Sequence, residues 1–387
     1  MSAPPLIHWT EDGSPHCARW CSESGAPPPR RIVLADDRMA ADDAYGLACQ
    51  GTGLLWRGDF RDARRMLVAL ARRADRRSRV SRAPPSSGGH SIPAEDFHRH
   101  RQARAQRARA LGALLVELDD AYRVKSSRAP DVRRACEEVY GPAQGPCVMS
   151  LRHLLGLIGA HEWRSRGIEI AVLGGRIHPH YGVFAPIRSE YLDLLIAAPL
   201  PAVVSSSSLA FDIGTGTGVL AALLARRGIE RVVATDTDPR ALHCARENIE
   251  RLGLQGRVQV QAADLFPEGR AALAVCNPPW LPARPSSPIE RGIYDPDSRM
   301  LTGFLNELPH HLVRGGEGWL ILSDLAEHLG LRSRAQLLQA FAKARLTVLD
   351  RLDVRPRHPR AAQADDPLHA ARAAEVTSLW RLGPANP

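Results

Sequence analysis

A chain of 387 residues with 44% hydrophobic and 24% charged content can bury one large core or two modest ones, and it shows no disorder-level charge excess. The opening MSAPPLIHWTEDGSPH has no basic start followed by an apolar run, and no stretch of about 18 uninterrupted apolar residues appears later, which predicts a cytoplasmic protein with no membrane span. The net charge of +9 is uneven: fourteen arginines stand against four carboxylates between Arg61 and Arg109, a balance that suits phosphates or an acidic protein and equally an arginine-rich composition.

Seven cysteines, at 17, 21, 49, 136, 147, 244 and 276, are odd in number and scattered, which fits reduced thiols better than a disulfide framework. His16, Cys17 and Cys21 make at most half of a metal site, because no second Cys or His pair follows at zinc-like spacing. No metal is expected.

Residues 1–150 read as a helical domain. Between Ala40 and Ala71 apolar residues recur at three- and four-residue spacing on either side of Arg57-Gly58-Asp59, predicting a helix hairpin. A Pro-, Ser- and Gly-rich stretch within 78–93 reads as an exposed linker. Helices are expected again from about Ala94 to Asp119 and from Ala129 to Tyr140, with Pro130 in a first turn. This domain is expected to choose the target.

From Gly167 the texture changes to short β-prone runs, with Gly174-Gly175 as a two-residue hairpin turn. Strands are then predicted at 209–213, 231–236, 257–262, 273–277, 318–323, 346–354 and 375–382, and helices at 219–227, 240–252, 298–313 and 334–343. The alternation predicts a doubly wound, seven-stranded α/β sheet over residues 151–387. A polar, non-helical connection from Arg355 to Arg372 would let the final strand insert antiparallel.

The first of these strands runs into a glycine turn, LAFDIGTGTGVL, in which Gly214, Gly216 and Gly218 remove the Cβ atoms that would keep a ligand off the backbone. Spacing G-x-G-x-G differs from the G-x-G-x-x-G of a pyrophosphate site, and Asp212 beside it suits a cationic amino-acid group better than a pyrophosphate. Asp236 ends the second strand, where a carboxylate can accept both ribose hydroxyls of an adenosine, since Asp238 before Pro239 serves as the helix cap. Asp264 ends the third, where it accepts an adenine amino group or merely closes a turn, with Leu265 beside the ring. The fourth strand ends Asn277-Pro278-Pro279-Trp280. Its prolines stiffen the exit from the sheet and fix two acceptors, the Asn277 side-chain oxygen and the Pro278 carbonyl, beside the aromatic face of Trp280. Such a pair suits a planar, conjugated NH2 group, whose two protons it would hold so that the nitrogen lone pair faces an incoming methyl group.

DIGTGTG at 212–218, Asp236, Asp264 and Asn277-Pro278-Pro279-Trp280 resemble the motifs of class I S-adenosylmethionine-dependent methyltransferases, in the branch carrying Asn-Pro-Pro-aromatic; the resemblance spans about Gly167 to Leu382. That branch includes glutamine methyltransferases of release factors and ribosomal proteins, guanine-N2 methyltransferases of ribosomal RNA and many adenine-N6 DNA enzymes. The resemblance implies a Rossmann-like fold and S-adenosylmethionine as methyl donor, held by Asp212, Gly214, Thr215, Gly216, Gly218, Asp236, Asp264, Leu265 and Asn277. It implies catalytic roles for Asn277, Pro278, Pro279 and Trp280. Pro186, Arg188 and Glu190 resemble a lid segment of the glutamine-methylating branch, and Glu290, Asp295 and Gly315-Gly316 fall at places comparable to its later motifs. Trp280 departs from the tyrosine usual there, and Tyr294-Asp295-Pro296 lacks a glycine pair. The expected reaction is methylation of an amide or amino nitrogen on a macromolecule, a protein glutamine ahead of an exocyclic RNA amine, with a non-catalytic adaptor as the third reading.

Overall fold

The computed structural model describes residues 5–22, 24–80, 94–185, 190–285, 288–357 and 368–385. They fall into two compact units: one of described residues within 1–89 and 98–162, the other of those within 90–97 and 163–387.

Along the chain to Arg166 come β1 (Leu6–Glu11), β2 (Ser14–Cys21), β3 (Arg31–Ala35), α1 (Ala41–Cys49), β4 (Thr52–Trp56), α2 (Phe60–Val80), α3 (Ala94–Gly112), β5 (Leu114–Leu118), α4 (Arg133–Tyr140), β6 (Cys147–Ser150) and α5 (Leu151–Arg166). The first unit is therefore mixed α/β and not the helical domain that periodicity predicts. Its six strands form one sheet in the order β1-β2-β6-β5-β4-β3. The correction has a physical reason at β4 and β5, every residue of which is buried. A short, continuous apolar run carries no period, so it reads equally as buried helix or buried strand. Ile7, Trp9, Trp20, Leu55, Leu115 and Val148 pack as the core on the sheet.

The second unit continues with β7 (Ile168–Ile170), β8 (Gly175–Ile177), α6 (Glu190–Ala197), β9 (Leu209–Ile213), α7 (Val219–Arg226), β10 (Arg231–Asp236), α8 (Pro239–Arg251), β11 (Val258–Ala262), β12 (Ala271–Cys276), α9 (Arg299–Glu307), β13 (Leu312–Ser323), α10 (Leu325–His328), α11 (Arg334–Lys343), β14 (Leu346–Val354), α12 (His369–Ala374) and β15 (Thr377–Pro384). β7 and β8 pair as the expected hairpin, but a 3-10 turn at Ala171–Leu173 and left-handed Gly174 join them, so the connection is longer than two residues. His369 and Arg372 lie in α12 rather than in a non-helical connection; His358 falls outside the described residues.

The seven-stranded sheet has the order β11-β10-β9-β12-β13-β15-β14. Its strands are parallel except β15, which runs antiparallel between β13 and β14, as the sequence predicts. Alternation sorts each strand between two cores. Ala210, Val232, Ala234, Leu273 and Val275 pack with α6, α7 and α8, whereas Phe211, Ile213, Val233, Ala274 and Cys276 pack with α9 and α11. This doubly wound arrangement reverses direction between β9 and β12, which opens a crevice at their carboxyl ends. Among the described residues no helix is long and apolar enough to cross a membrane.

Candidate active site

At the end of β9 the turn needs its glycines. Gly214, Gly216 and Gly218 have φ of 72, 54 and 83°, values at which a Cβ is strained. A Cβ on Gly218 would also lie 3.3 Å from the Cα of Ala245 in α8. Asp212 is fully buried beneath the turn. Its Oδ2 accepts hydrogen bonds from Thr215 Oγ1 at 2.6 Å and from the Ala221 amide at 3.0 Å, pinning the turn to α7. Oδ1 has no partner. Burial outweighs these bonds and pushes the carboxyl up to about 7. The buried Asn248, which sequence reasoning missed, ties two walls together: its amide donates to the Thr217 carbonyl at 3.0 Å and its oxygen accepts from the His178 amide at 2.7 Å. A polar side chain on the apolar face of an amphipathic helix was the available signal.

The three acids behave differently. Asp238 caps α8 as expected, accepting from the Arg240 amide at 2.9 Å. Asp236, half-buried at the crevice, accepts from the Gly216 amide at 3.1 Å and the Asp238 amide at 2.9 Å, and burial raises its pKa. Asp264 is exposed and paired with Arg299 at 2.6 Å, so it is not the free acceptor that the sequence suggests. Leu265, left-handed at φ 73°, gives its carbonyl to Thr235 Oγ1 at 2.6 Å and turns its side chain onto Gly303 of α9 rather than into open space. Met300, next to Arg299, lays its methyl group against Gly214. Neither Arg299 nor Met300 was foreseen; both arrive from a segment whose left-handed Asp297 and Ser298 no motif announces.

Asn277 leaves β12 one residue after Cys276, which is in register with Ile213 of β9. The register sets Asn277 level with Gly214. Trp280 does not stand apart as a bare aromatic face: its Nε1 donates to Asn277 Oδ1 at 2.9 Å, and its ring is partly buried against both cores of the sheet. Pro278 is buried and Pro279 half-buried, so the turn is held by packing as well as by ring stiffness. Beyond it, the Asp295 amide donates to the Leu281 carbonyl at 2.9 Å. The Asp295 carboxylate accepts from the amides of Met300 at 2.8 Å and Leu301 at 3.3 Å, so it caps α9.

Other expected positions are dispersed. Pro186 and Arg188 lie outside the described residues. Glu190 is buried and accepts from the Arg357 amide at 2.6 Å. Gly315 and Gly316 sit where the β12–β13 register shifts, at the amino end of β13 and so at the sheet edge opposite Asn277. His180, on the segment after β8, gathers with His243 and Glu247 of α8. Arg164 also reaches both Glu247 oxygens at 3.1 Å, so the carboxylate already has a cation. The group anchors the segment that brings the Phe184 carbonyl to the side of Gly216.

Residues 174–349 match the family model "Methyltransferase small domain". The chain is 52% identical over 69 residues to a ribosomal protein L11 methyltransferase of Pelotomaculum thermopropionicum, covering 17% of this chain and 22% of that protein. It is 33% identical over 187 residues to a release factor glutamine methyltransferase of Cereibacter sphaeroides, covering 44% and 63%. A protein of Methanocaldococcus jannaschii named for N5-glutamine methylation is 29% identical over 166 residues, covering 41% and 80%. The chain thus spans under a quarter of the first relative and just under two thirds of the second. S-adenosylmethionine fits the residues present: a turn free of Cβ atoms, a partnerless buried carboxylate oxygen on Asp212 beneath it, and Asp236 at the end of the next strand. The second unit has the class I methyltransferase fold, and over residues 174–349 it is similar to the methyltransferase small domain.

Proposed function

We propose that the protein methylates the amide nitrogen of a glutamine side chain on a protein. One observation carries the reading: Asn277 stands level with Gly214 across the β9–β12 register, so an acceptor amide bound at Asn277 meets whatever lies on the glycine turn. Two relatives whose names specify glutamine methylation support the choice of acceptor.

Bound S-adenosylmethionine supplies an electrophilic methyl group on a cationic sulfur. The protein's own residues do the rest by placement. Gly214, Thr215, Gly216 and Gly218 give the donor a backbone surface, Asp212 and Asp236 supply negative charge beside it, and Leu265 and Asp264 mark the adenine end. Asn277 Oδ1 and the Pro278 carbonyl accept the two N–H bonds of the target amide. That drains conjugation from the nitrogen and aims its lone pair at the methyl carbon. A C–N bond forms as the C–S bond breaks, and the nitrogen loses one proton to solvent. Trp280 holds Asn277 Oδ1 through one lone pair, leaving the second for the substrate.

The test is incubation of the full-length protein with radiolabelled donor and a cell lysate. Label released by protease but resistant to ribonuclease, and located on glutamine by peptide mapping, is the expected result. Label released by ribonuclease would overturn the glutamine reading.

A further inference from the structure

We infer that α2 carries a docking groove for the backbone of double-stranded RNA, a site separate from the methyl-transfer chemistry. A groove of about 1020 Å³ runs along this helix, lined by Arg61, Arg64, Arg65, Arg72, Arg73 and Arg76, with Leu155 of α5 among its walls. Helical geometry puts Arg61, Arg65, Arg72 and Arg76 within an arc of about 60°, on a stripe about 22 Å long, nearly opposite the buried face of Ala63, Met66, Leu70 and Ala74.

Pairing among the arginines of the groove separates structural ones from available ones. Arg73 is mostly buried and binds Asp42 at 2.6 Å; Arg65 binds Asp62 at 2.7 Å. Arg61, Arg64, Arg72 and Arg76 are exposed and, among the described residues, form no direct ion pair, although the Asp42 carboxylate bound by Arg73 also feels Arg76. The groove's own acid, Asp75, is already bound to Arg107 at 2.7 Å. Four guanidiniums without a direct ion pair on one side of a helix make a surface of mainly one sign, and guanidinium geometry matches phosphate.

Spacing favours a duplex over an acidic peptide or a single strand. The arginines form two groups, 61–65 and 72–76, separated axially by about 10 Å of helix. Leu67, Val68 and Ala69 fill the gap, with Val68 51% exposed. Two cationic groups flanking a short apolar stretch fit the two phosphate strands bordering the wide, shallow minor groove of an A-form helix, with the small apolar side chains on the sugar edges. Among the described residues no aromatic side chain lines the groove, so stacking of unpaired bases has no platform among them.

The test uses full-length protein and fluorescence anisotropy with a labelled 20-base-pair RNA duplex, the same sequence as DNA duplex and as single-stranded RNA, and polyglutamate as competitor. The RNA duplex should bind tightest, with a log–log salt slope of about −4 or steeper if the four free arginines each meet a phosphate. Arg61→Gln/Arg64→Gln and Arg72→Gln/Arg76→Gln should each weaken binding at least tenfold and flatten the slope by about two. Both double variants should keep the thermal shift given by S-adenosylhomocysteine, which verifies folding. Unchanged binding in the variants, equal affinity for DNA or single strands, displacement by polyglutamate at equal charge, or no duplex binding at low salt would each overturn the inference. None of these outcomes bears on glutamine methylation, since the readout involves no methyl transfer.

Discussion

The indole Nε1 of Trp280 donates a hydrogen bond to Oδ1 of Asn277 across 2.9 Å. The tryptophan thereby fixes the amide that would receive the substrate, and its face is only partly available for stacking.

Asn277→Ala should lower methyl transfer by on the order of 10²-fold, the usual loss when one preorganised polar group is removed from a transition state. Donor affinity should change little. Trp280→Phe keeps the ring and deletes the N–H, so turnover should drop by about tenfold, less than for Asn277→Ala. Steady-state kinetics on the authentic target, with calorimetry of S-adenosylhomocysteine binding, separate the effects. Wild-type turnover in Asn277→Ala would remove the amine-positioning mechanism.

The buried Asp212 has a carboxyl raised to about 7 from an ordinary 3.8. A folded pKa above the unfolded one contributes stability that is full below about 3.8 and lost as pH rises through about 7. Asp212→Asn should therefore stabilise the donor-free protein at pH 8 by on the order of 2 kcal/mol, and less at pH 5. Melting curves at both pH values check this; an equal gain at both would mean that charge is not the cause. Donor affinity in the wild type should rise from pH 6 to pH 8 as Asp212 ionises.

The Arg299–Asp264 pair occupies the carboxylate that we propose for the adenine end of the donor site. Arg299→Ala frees that carboxylate, and because the pair is exposed the gain is small: donor affinity should rise no more than about fivefold. The effect should shrink in high salt, where the wild-type pair is already screened. A large loss of affinity would instead make Arg299 a donor ligand.

His180 is held below its ordinary pKa of 6.5 by burial, with Arg164 and His243 opposing protonation and Glu247 favouring it. A depressed imidazole contributes stability that is present above about 6.5 and lost as pH falls through the lower folded value. Melting temperature should fall between pH 7 and pH 5, and the fall should be smaller in His180→Gln. Identical pH profiles in the two proteins would exclude His180 as the source.

The second unit was legible because its signals are local. Strand and helix alternate along the chain, glycines cluster where φ turns positive, and Asp238-Pro239 announces a helix start. The first unit hid two of its six strands in Thr52–Trp56 and Leu114–Leu118, where complete burial erases the alternation that marks a half-exposed strand. Within the site, Asp212 and Asn277 could be placed from motifs, whereas the neighbours that change their behaviour could not. Arg299 reaches Asp264 from 35 residues away, and Met300 reaches Gly214 through a loop with two left-handed residues. Such pairings depend on loop conformation, which residue spacing does not encode.

The antiparallel β15 lies between β13 and β14, so β14 joins the sheet only through a strand made after it. On a ribosome, β9 to β13 can pair as they emerge, while β14 must wait with both edges open. Until β15 arrives, the buried residues of β13 from Trp319 to Leu322 border an unpaired edge. The growing chain is thus most exposed to chaperones and to mispairing in the interval between the synthesis of β13 and that of β15, and slow translation of that interval would lengthen the exposure.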